Sequence, residues 1–466
     1  MNYHEGFSNR LGCILTAAGS ADGLGNIWRF PYLTAKYGGG IFLLTYLILV
    51  LTFGYALMLS ENCLGRMTGK GPVGAFRDLC AGKRSFLGFV RVGGWINALV
   101  PMIVLPYYFV IGGWVTKYTV AMCCNSKNTF SSSAPAGATS GDYFVSFITS
   151  TWEPICYFLI FIAIVVAIVA LGVRKGVERF SKILMPLLLI MIIAICIYCL
   201  CLPGSGAGFR YYLMPDWSKF GVMTVVAAMG QLFYSLSIAM GIMFTYGSYM
   251  RKDDNLVANV NHVELFDTSV SFLAGLMIIP AVVLFGGEQA AESAGPGLLF
   301  ITMPQVFASL PAGKVVGILF FGLVLFAAAT SAISLLETNV HTLQQEINIS
   351  RRKSLVISLT ESLGVGIITI LGYSVLSHVK PLRFLSICRN MDILDSLDFL
   401  SNSILMPIGA IFTTMLVVAV VGLERFSAEI KGNQPWHREF LYQACMSVVV
   451  IPCLLIILLN AIGFLG

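Results

Sequence analysis

Charge is scarce in this chain: 11% of its 466 residues are Asp, Glu, Lys or Arg, against about 25% in a soluble globular protein. That shortage excludes a water-exposed surface over most of the polypeptide. With 57% hydrophobic residues and a mean hydropathy of +0.84, the chain reads as an all-α polytopic membrane protein. Zinc-type spacings are missing from its 12 cysteines. Most of them, such as Cys196, Cys199, Cys201, Cys445 and Cys453, lie in apolar runs and read as small buried hydrophobes. Cys123 and Cys124 are adjacent, and neighbouring cysteines seldom bond to each other, so no disulfide is expected. No cleavable leader can be set apart at the N-terminus, because the first apolar segment runs on past Phe30 and is expected to remain as an anchor. No nucleophile-and-base motif and no appended signalling domain is recognisable. The first absence argues against an intramembrane enzyme built on Asp22 and Asp267, the second against a sensor that binds without moving cargo.

About eleven segments are long enough to cross roughly 30 Å of hydrocarbon. They start near Leu11, Ile41, Leu87, Pro154, Lys182, Gly221, Asn261, Gly313, Leu355, Asp395 and Arg438. Orientation follows the Lys and Arg of short loops. Arg10, Arg66, Lys70, Arg77, Arg174, Lys175, Arg179, Arg351, Arg352 and Lys353 collect on one side and favour a cytoplasmic N-terminus, whereas Lys380, Arg383 and Arg389 run against that trend. The net charge of +6 is spread through these membrane-flanking loops. It reads as a topological signal with the bilayer as partner, and no nucleic acid is expected. Residues 125–142, NSKNTFSSSAPAGATSGD, read as a flexible loop. GGEQAAESAGPG from Gly286 reads as a compact loop before LLFITMPQVF, an apolar piece too short to span and expected to dip over an outer vestibule as a helical hairpin.

Two segments interrupt themselves. Residues 19–32, GSADGLGNIWRFPY, place glycines, an asparagine, an aspartate and an arginine where the first helix should continue, and FYSLSIAMG at 233–241 does the same in the sixth. Glycine weakens a helix and a charge in hydrocarbon is costly. Backbone freed at the midplane is tolerable only where it lines a cavity or binds an ion. Interruptions at corresponding places, five helices apart, point to repeated halves with a site between them. The expected halves are residues 11–203 and 221–422, with a further helix at 438–463, all within one domain.

At GLGNIWRFP the chain resembles the neurotransmitter:sodium symporters, in particular their bacterial amino-acid transporter branch. GGG (38–40), ENCLGRMTG (61–69), PYYFVIGGW (106–114), ERFSKILMP (178–186), GQLFYSLSIAMG (230–241), ATSAISLLE (329–337) and LDSLDFLSN (394–402) follow in order and carry the resemblance over nearly the whole chain. It implies a LeuT-like 5+5 inverted repeat with helices 1 and 6 unwound. It also implies a bacterial inner (plasma) membrane location and sodium-driven import of a small amino acid or amine by alternating access.

Residue by residue, the resemblance implies a first sodium site from the Ala21 carbonyl, Asn26, Ser235 and Asp267. A second would come from the carbonyls of Gly19 and Asp22 with Ala327, Thr330 and Ser331. Alone, the hydroxyls of Thr330 and Ser331 would be read as bonding back to the preceding turn; among the other motifs they are read as ligands. Tyr108 and the amides of Leu24 and Gly25 would meet a substrate carboxylate. Carbonyls of Ala21, Tyr234, Ser235 and Ser237 would take the ammonium, and Val104, Tyr108, Tyr234, Met240 and Leu335, with Ser331 at the edge, would form an apolar pocket of moderate size. Arg29 and Asp398 would close an outer gate. Glu61 is expected to brace the unwound segments.

Three departures stand out. Tyr46, Gln231, Ser235 and Ser271 match the chloride-site positions of chloride-dependent relatives, but Asp267 stands where those have asparagine. A fixed carboxylate replaces the anion's charge, so chloride-independent transport is expected. At the cytoplasmic gate the family's arginine and tryptophan are replaced by His4 and Phe7, and its aspartate by Gln345 beside Glu346, which opens the prospect of a pH-sensitive His4 contact. Asp22 lies one residue before the aspartate of monoamine carriers. It admits three readings: a charge near the second sodium, an acceptor for a cationic amine, or a protonated structural carboxyl. Substrate identity and oligomeric state stay open.

Overall fold

The computed structural model describes residues 7–8, 10–82, 86–124, 140–291, 297–385, 388–432 and 435–464. Helices dominate. Among the described residues there is no strand, only one antiparallel bridge between Gly39 and Pro215. Among the described residues, nine helices are long and apolar enough to cross a membrane: Gly40–Thr68, Val92–Cys124, Trp152–Ala170, Val173–Leu200, Leu256–Phe285, Gly313–Ile347, Arg351–Leu371, Ile393–Val421 and Glu439–Ala461. The two expected segments outside this set are the interrupted ones. The first divides into Arg10–Ala21 and, after a π-helical turn, Phe30–Lys36; the sixth divides into Val222–Ser235 and Ile242–Tyr249.

Boundaries moved where a buried charge found a partner. The fifth span begins at Val173 rather than Lys182, because Glu178 accepts hydrogen bonds from Ser8 and pairs with Lys182 at 2.5 Å, so the extra turns bury no unmatched carboxylate. The third begins at Val92 rather than Leu87, after a separate short helix, Phe86–Phe89. Beyond the seventh span, helical turns continue through the stretch read as a loop from Gly286. They reach Ala291 across a bend at Gly287, whose φ of 73° suits a residue without Cβ. LLFITMPQVF is a single short helix, with a π-helical start at Leu298–Thr302 and a continuation at Met303–Ser309, rather than a hairpin. Residues 292–296 and most of the expected 125–142 loop lie outside the described residues, and Ser140 already starts a helix that ends at Thr149.

The two broken spans sit inside the bundle. The helix Arg10–Ala21 packs against the fifth, seventh and eighth spans, and the third and eighth spans pack along each other beside it. In lipid, close packing of small residues replaces the hydrophobic drive between helices. The second span and the helix Ile242–Tyr249 show this reciprocally: a Cβ on Gly65 would stand 2.1 Å from the Phe244 carbonyl oxygen, and one on Gly247 would stand 2.3 Å from that of Asn62. Backbone meets backbone there, which fixes the second half of the sixth span beneath its break.

Candidate substrate and sodium sites

Glycine lets the break of the first span approach its neighbours. A Cβ on Gly23 would lie 2.6 Å from Ser331 Oγ and 3.0 Å from the Tyr108 hydroxyl, and one on Gly25 would lie 2.4 Å from the Tyr234 ring. The break of the sixth span is held differently. Ser237 (φ 53°), Ala239 (φ 58°) and Gly241 (φ 68°) take left-handed conformations, which are strained for residues with a side chain and persist only where surroundings enforce them. Fully buried Glu61 enforces one of them by accepting the Ala239 N–H at 2.8 Å. Glu61→Gln keeps an acceptor at that place and should retain transport. Glu61→Ala leaves the amide unsatisfied at about 1–3 kcal/mol, and should lower both uptake and thermal stability; equal behaviour of the two variants would remove the bracing role.

Between the breaks lies a narrow cavity of about 20 Å³, room for roughly one water. The sequence suggests a pocket of moderate size, and here the walls are drawn together. Val104, Tyr108, Tyr234, Ser237, Met240, Ser331 and Leu335 line it as expected, joined by Ser20, Gly23 and Ile242. Ser20 was missed: its carbonyl accepts hydroxyls from Ser237 at 3.1 Å and Ser331 at 3.0 Å, tying both breaks to the eighth span. A backbone role of that kind leaves no mark on residue type. The Leu24 N–H donates to the Tyr108 hydroxyl at 3.2 Å, so these two carboxylate-binding candidates converge.

Of the residues assigned to the first sodium site, Asn26, Ser235 and Asp267 come together, all fully buried. Asp267 accepts Asn26 Nδ2 at 2.8 Å and Ser235 Oγ at 2.8 and 2.9 Å. The Tyr46 hydroxyl meets Ser235 Oγ at 2.9 Å and donates to Asp267 at 3.4 Å. Gln231 Nε2 donates to the Gly25 carbonyl at 2.9 Å, and Ser271 is buried nearby in sequence on the same span as Asp267. Ala21 turns its carbonyl to the Gly23 N–H at 2.8 Å. The Asp22 carboxylate accepts Asn26 Nδ2 at 3.3 Å, on the side of Asp267, and Asp22 is not among the residues lining the cavity.

At the second set, Gly19 approaches Thr330, where a Cβ would meet Thr330 Cβ at 3.4 Å. The Thr330 hydroxyl bonds back to the carbonyls of Phe326 at 3.1 Å and Ala327 at 3.0 Å, while Ser331 reaches across to the first span. Arg29 and Asp398 line one vestibule of about 230 Å³ with Trp28, Tyr107 and Tyr234, yet they make no direct ion pair. Arg29 lies over the Tyr234 ring at 5.3 Å and faces the Asn402 side-chain amide, whose oxygen, once turned toward it, accepts both guanidinium nitrogens. Asp398 accepts the Tyr107 hydroxyl at 3.1 Å.

On the face that carries Phe7, the departures from the family pattern meet specific partners. Phe7 packs edge-on against Tyr246 and Tyr249 at 5.7 and 5.8 Å, and Arg10 donates to Asn259 at 2.9 Å. Gln345 accepts the Gly71 N–H at 2.8 Å and Glu346 pairs with Arg77 at 2.5 Å. The departures at Phe7, Gln345 and Glu346 are thus absorbed by contacts to the sixth span and to the segment after the second; His4 lies outside the described residues.

Comparison with known proteins meets this geometry. The model of the sodium:neurotransmitter symporter family matches residues 4–131 and 148–464. The chain is 33% identical to the sodium-dependent transporter YhdH of Bacillus subtilis, over 99% of this chain and 98% of that one. It is 27% identical to the human sodium- and chloride-dependent GABA transporter 2, over 92% and 76%. The crystal structure of MhsT in complex with L-phenylalanine superposes with a TM-score of 0.87 at 35% identity, over 98% of this chain and 99% of that one. The fold is therefore LeuT-like, and the two interrupted spans, the buried Asn26–Ser235–Asp267 cluster and a family match along almost the whole length lead to one conclusion: this chain belongs to the sodium:neurotransmitter symporter family, a family of membrane transporters and not of enzymes.

Proposed function

We propose that this sodium-dependent symporter imports a hydrophobic or aromatic amino acid across the plasma membrane, with its N-terminus in the cytoplasm, and does so without chloride. The carrying observation is the cavity between the breaks. At one end the Tyr108 hydroxyl meets the Leu24 amide; Val104, Ile242, Met240 and Leu335 give the cavity its apolar walls, beside the Tyr234 ring and Ser20, Ser237 and Ser331. A carboxylate suits the first part and an apolar side chain the second, and MhsT was crystallised with phenylalanine. Coupling to two ions is the reading of the two sodium sets, and alternating access that of the repeats 11–203 and 221–422. The vestibule lined by Arg29 and Asp398 supports a carrier open toward the outside. An amine-carrying alternative would need Asp22 among the cavity walls, and its carboxylate meets Asn26 instead.

A ligand that binds only the folded state raises its apparent stability by mass action. A thermal-shift screen of amino acids and amines, with sodium and with potassium, should show stabilisation by phenylalanine, tryptophan or leucine only in sodium. Stabilisation by amines alone would replace the amino-acid reading.

A further inference from the structure

Asp22 is fully buried, stands apart from the cavity walls, and has no role in the proposed substrate recognition. Asn26 Nδ2 donates to it at 3.3 Å and to Asp267 at 2.8 Å, so one amide nitrogen sits between two carboxylates. The Asp267 oxygens are already served by Asn26, Ser235 and Tyr46. By contrast, Asp22 Oδ2 and the amide oxygen of Asn26 are buried with no hydrogen-bond partner. No ion pair among the described residues includes either carboxylate. Buried carboxylates without a cation are strongly disfavoured, and unpartnered anionic and amide oxygens are the donors a hard cation takes.

We propose that Asp22 is a ligand of the first sodium site, so that the protein supplies two fixed carboxylates there and the ion binds before any organic substrate arrives. This rests on reading Asn26, Ser235 and Asp267 as that site. The extra charge comes from the unwound stretch itself, and the next residue, Gly23, lines the cavity. Asp22 would therefore set ion affinity and binding order while leaving the cavity free for a carboxylate-bearing solute.

The test is sodium titration of the purified full-length protein in potassium background without organic substrate, read as thermal stabilisation, for wild type, Asp22→Asn and Asp267→Asn. The proposal expects saturable stabilisation of wild type and a half-saturating sodium concentration at least about tenfold higher for Asp22→Asn, as removing a charge next to a cation implies. Asp22→Ser, which keeps an oxygen without the charge, is measured alongside in case the Asn variant does not fold, and should be weakened likewise. Unchanged titration of the Asp22 variants with a weakened Asp267→Asn overturns the proposal and leaves the site reading intact. Unchanged titration of Asp267→Asn overturns the site reading itself.

Discussion

Replacing Asp267 by Asn is expected to lower sodium-driven uptake in chloride-free medium by on the order of 1,000-fold, with partial recovery when chloride is added. Asp267 is the hub at which Asn26, Ser235 and Tyr46 converge in a fully buried setting. A unit charge about 4 Å from a cation is worth about 4 kcal/mol at an effective dielectric of about 20, and each 1.4 kcal/mol is about tenfold in affinity. Asparagine retains an acceptor and the shape but not the charge. Tyr46, Gln231, Ser235 and Ser271 hold the positions that the resemblance gives to a chloride site, so chloride is the species expected to restore part of the activity. Counts of radiolabelled substrate taken up with gluconate or chloride as the anion would decide it. Uptake in gluconate equal to wild type would defeat the chloride-independence argument.

The second large effect is steric. Gly25→Ala should raise the half-saturating substrate concentration by roughly 5- to 150-fold, the range that 1–3 kcal/mol of overpacking implies. Its Cβ would come within 2.4 Å of the Tyr234 ring, which lines the cavity and carries Arg29 over it at 5.3 Å. The Gly25 carbonyl also holds Gln231 at 2.9 Å, so a shift of the backbone would disturb the Asp267 neighbourhood as well. Gly364→Ala is the matching control, since a Cβ there meets nothing within 4 Å. Saturation curves at fixed sodium should separate the two variants, and a Gly25→Ala curve overlying wild type would show that the first break is not packed on Tyr234.

Much of this site can be read in the sequence because it is built from local breaks. Glycines and polar residues inside apolar runs mark GSADGLGN and FYSLSIAMG, and the span count follows once those two runs are allowed to be discontinuous. The cavity walls Val104, Tyr108, Met240 and Leu335 were legible through motifs of the family. What could not be read was direction. Residue types do not fix backbone angles in an unwound segment, so the side of the first span on which Asp22 emerges was open, and its contact with Asn26 near Asp267 had to come from the structure. Long-range partners were hidden for the same reason. Arg29 turns to Asn402 and Tyr234 rather than directly to Asp398, and Gln345 finds a backbone amide at Gly71, 274 residues away. The early start of the fifth span depends on Ser8 and Lys182 closing around Glu178, a match that hydropathy alone does not reveal.

In the proposed function, ion and solute share one path through the two breaks. Uptake of labelled phenylalanine into proteoliposomes, driven by an inward sodium gradient with gluconate as the only anion, tests it directly. Concentrative uptake is expected, collapsing when potassium replaces sodium and in the Asp267→Asn variant. Uptake that persists without a sodium gradient, or that requires chloride in the wild-type protein, would contradict it.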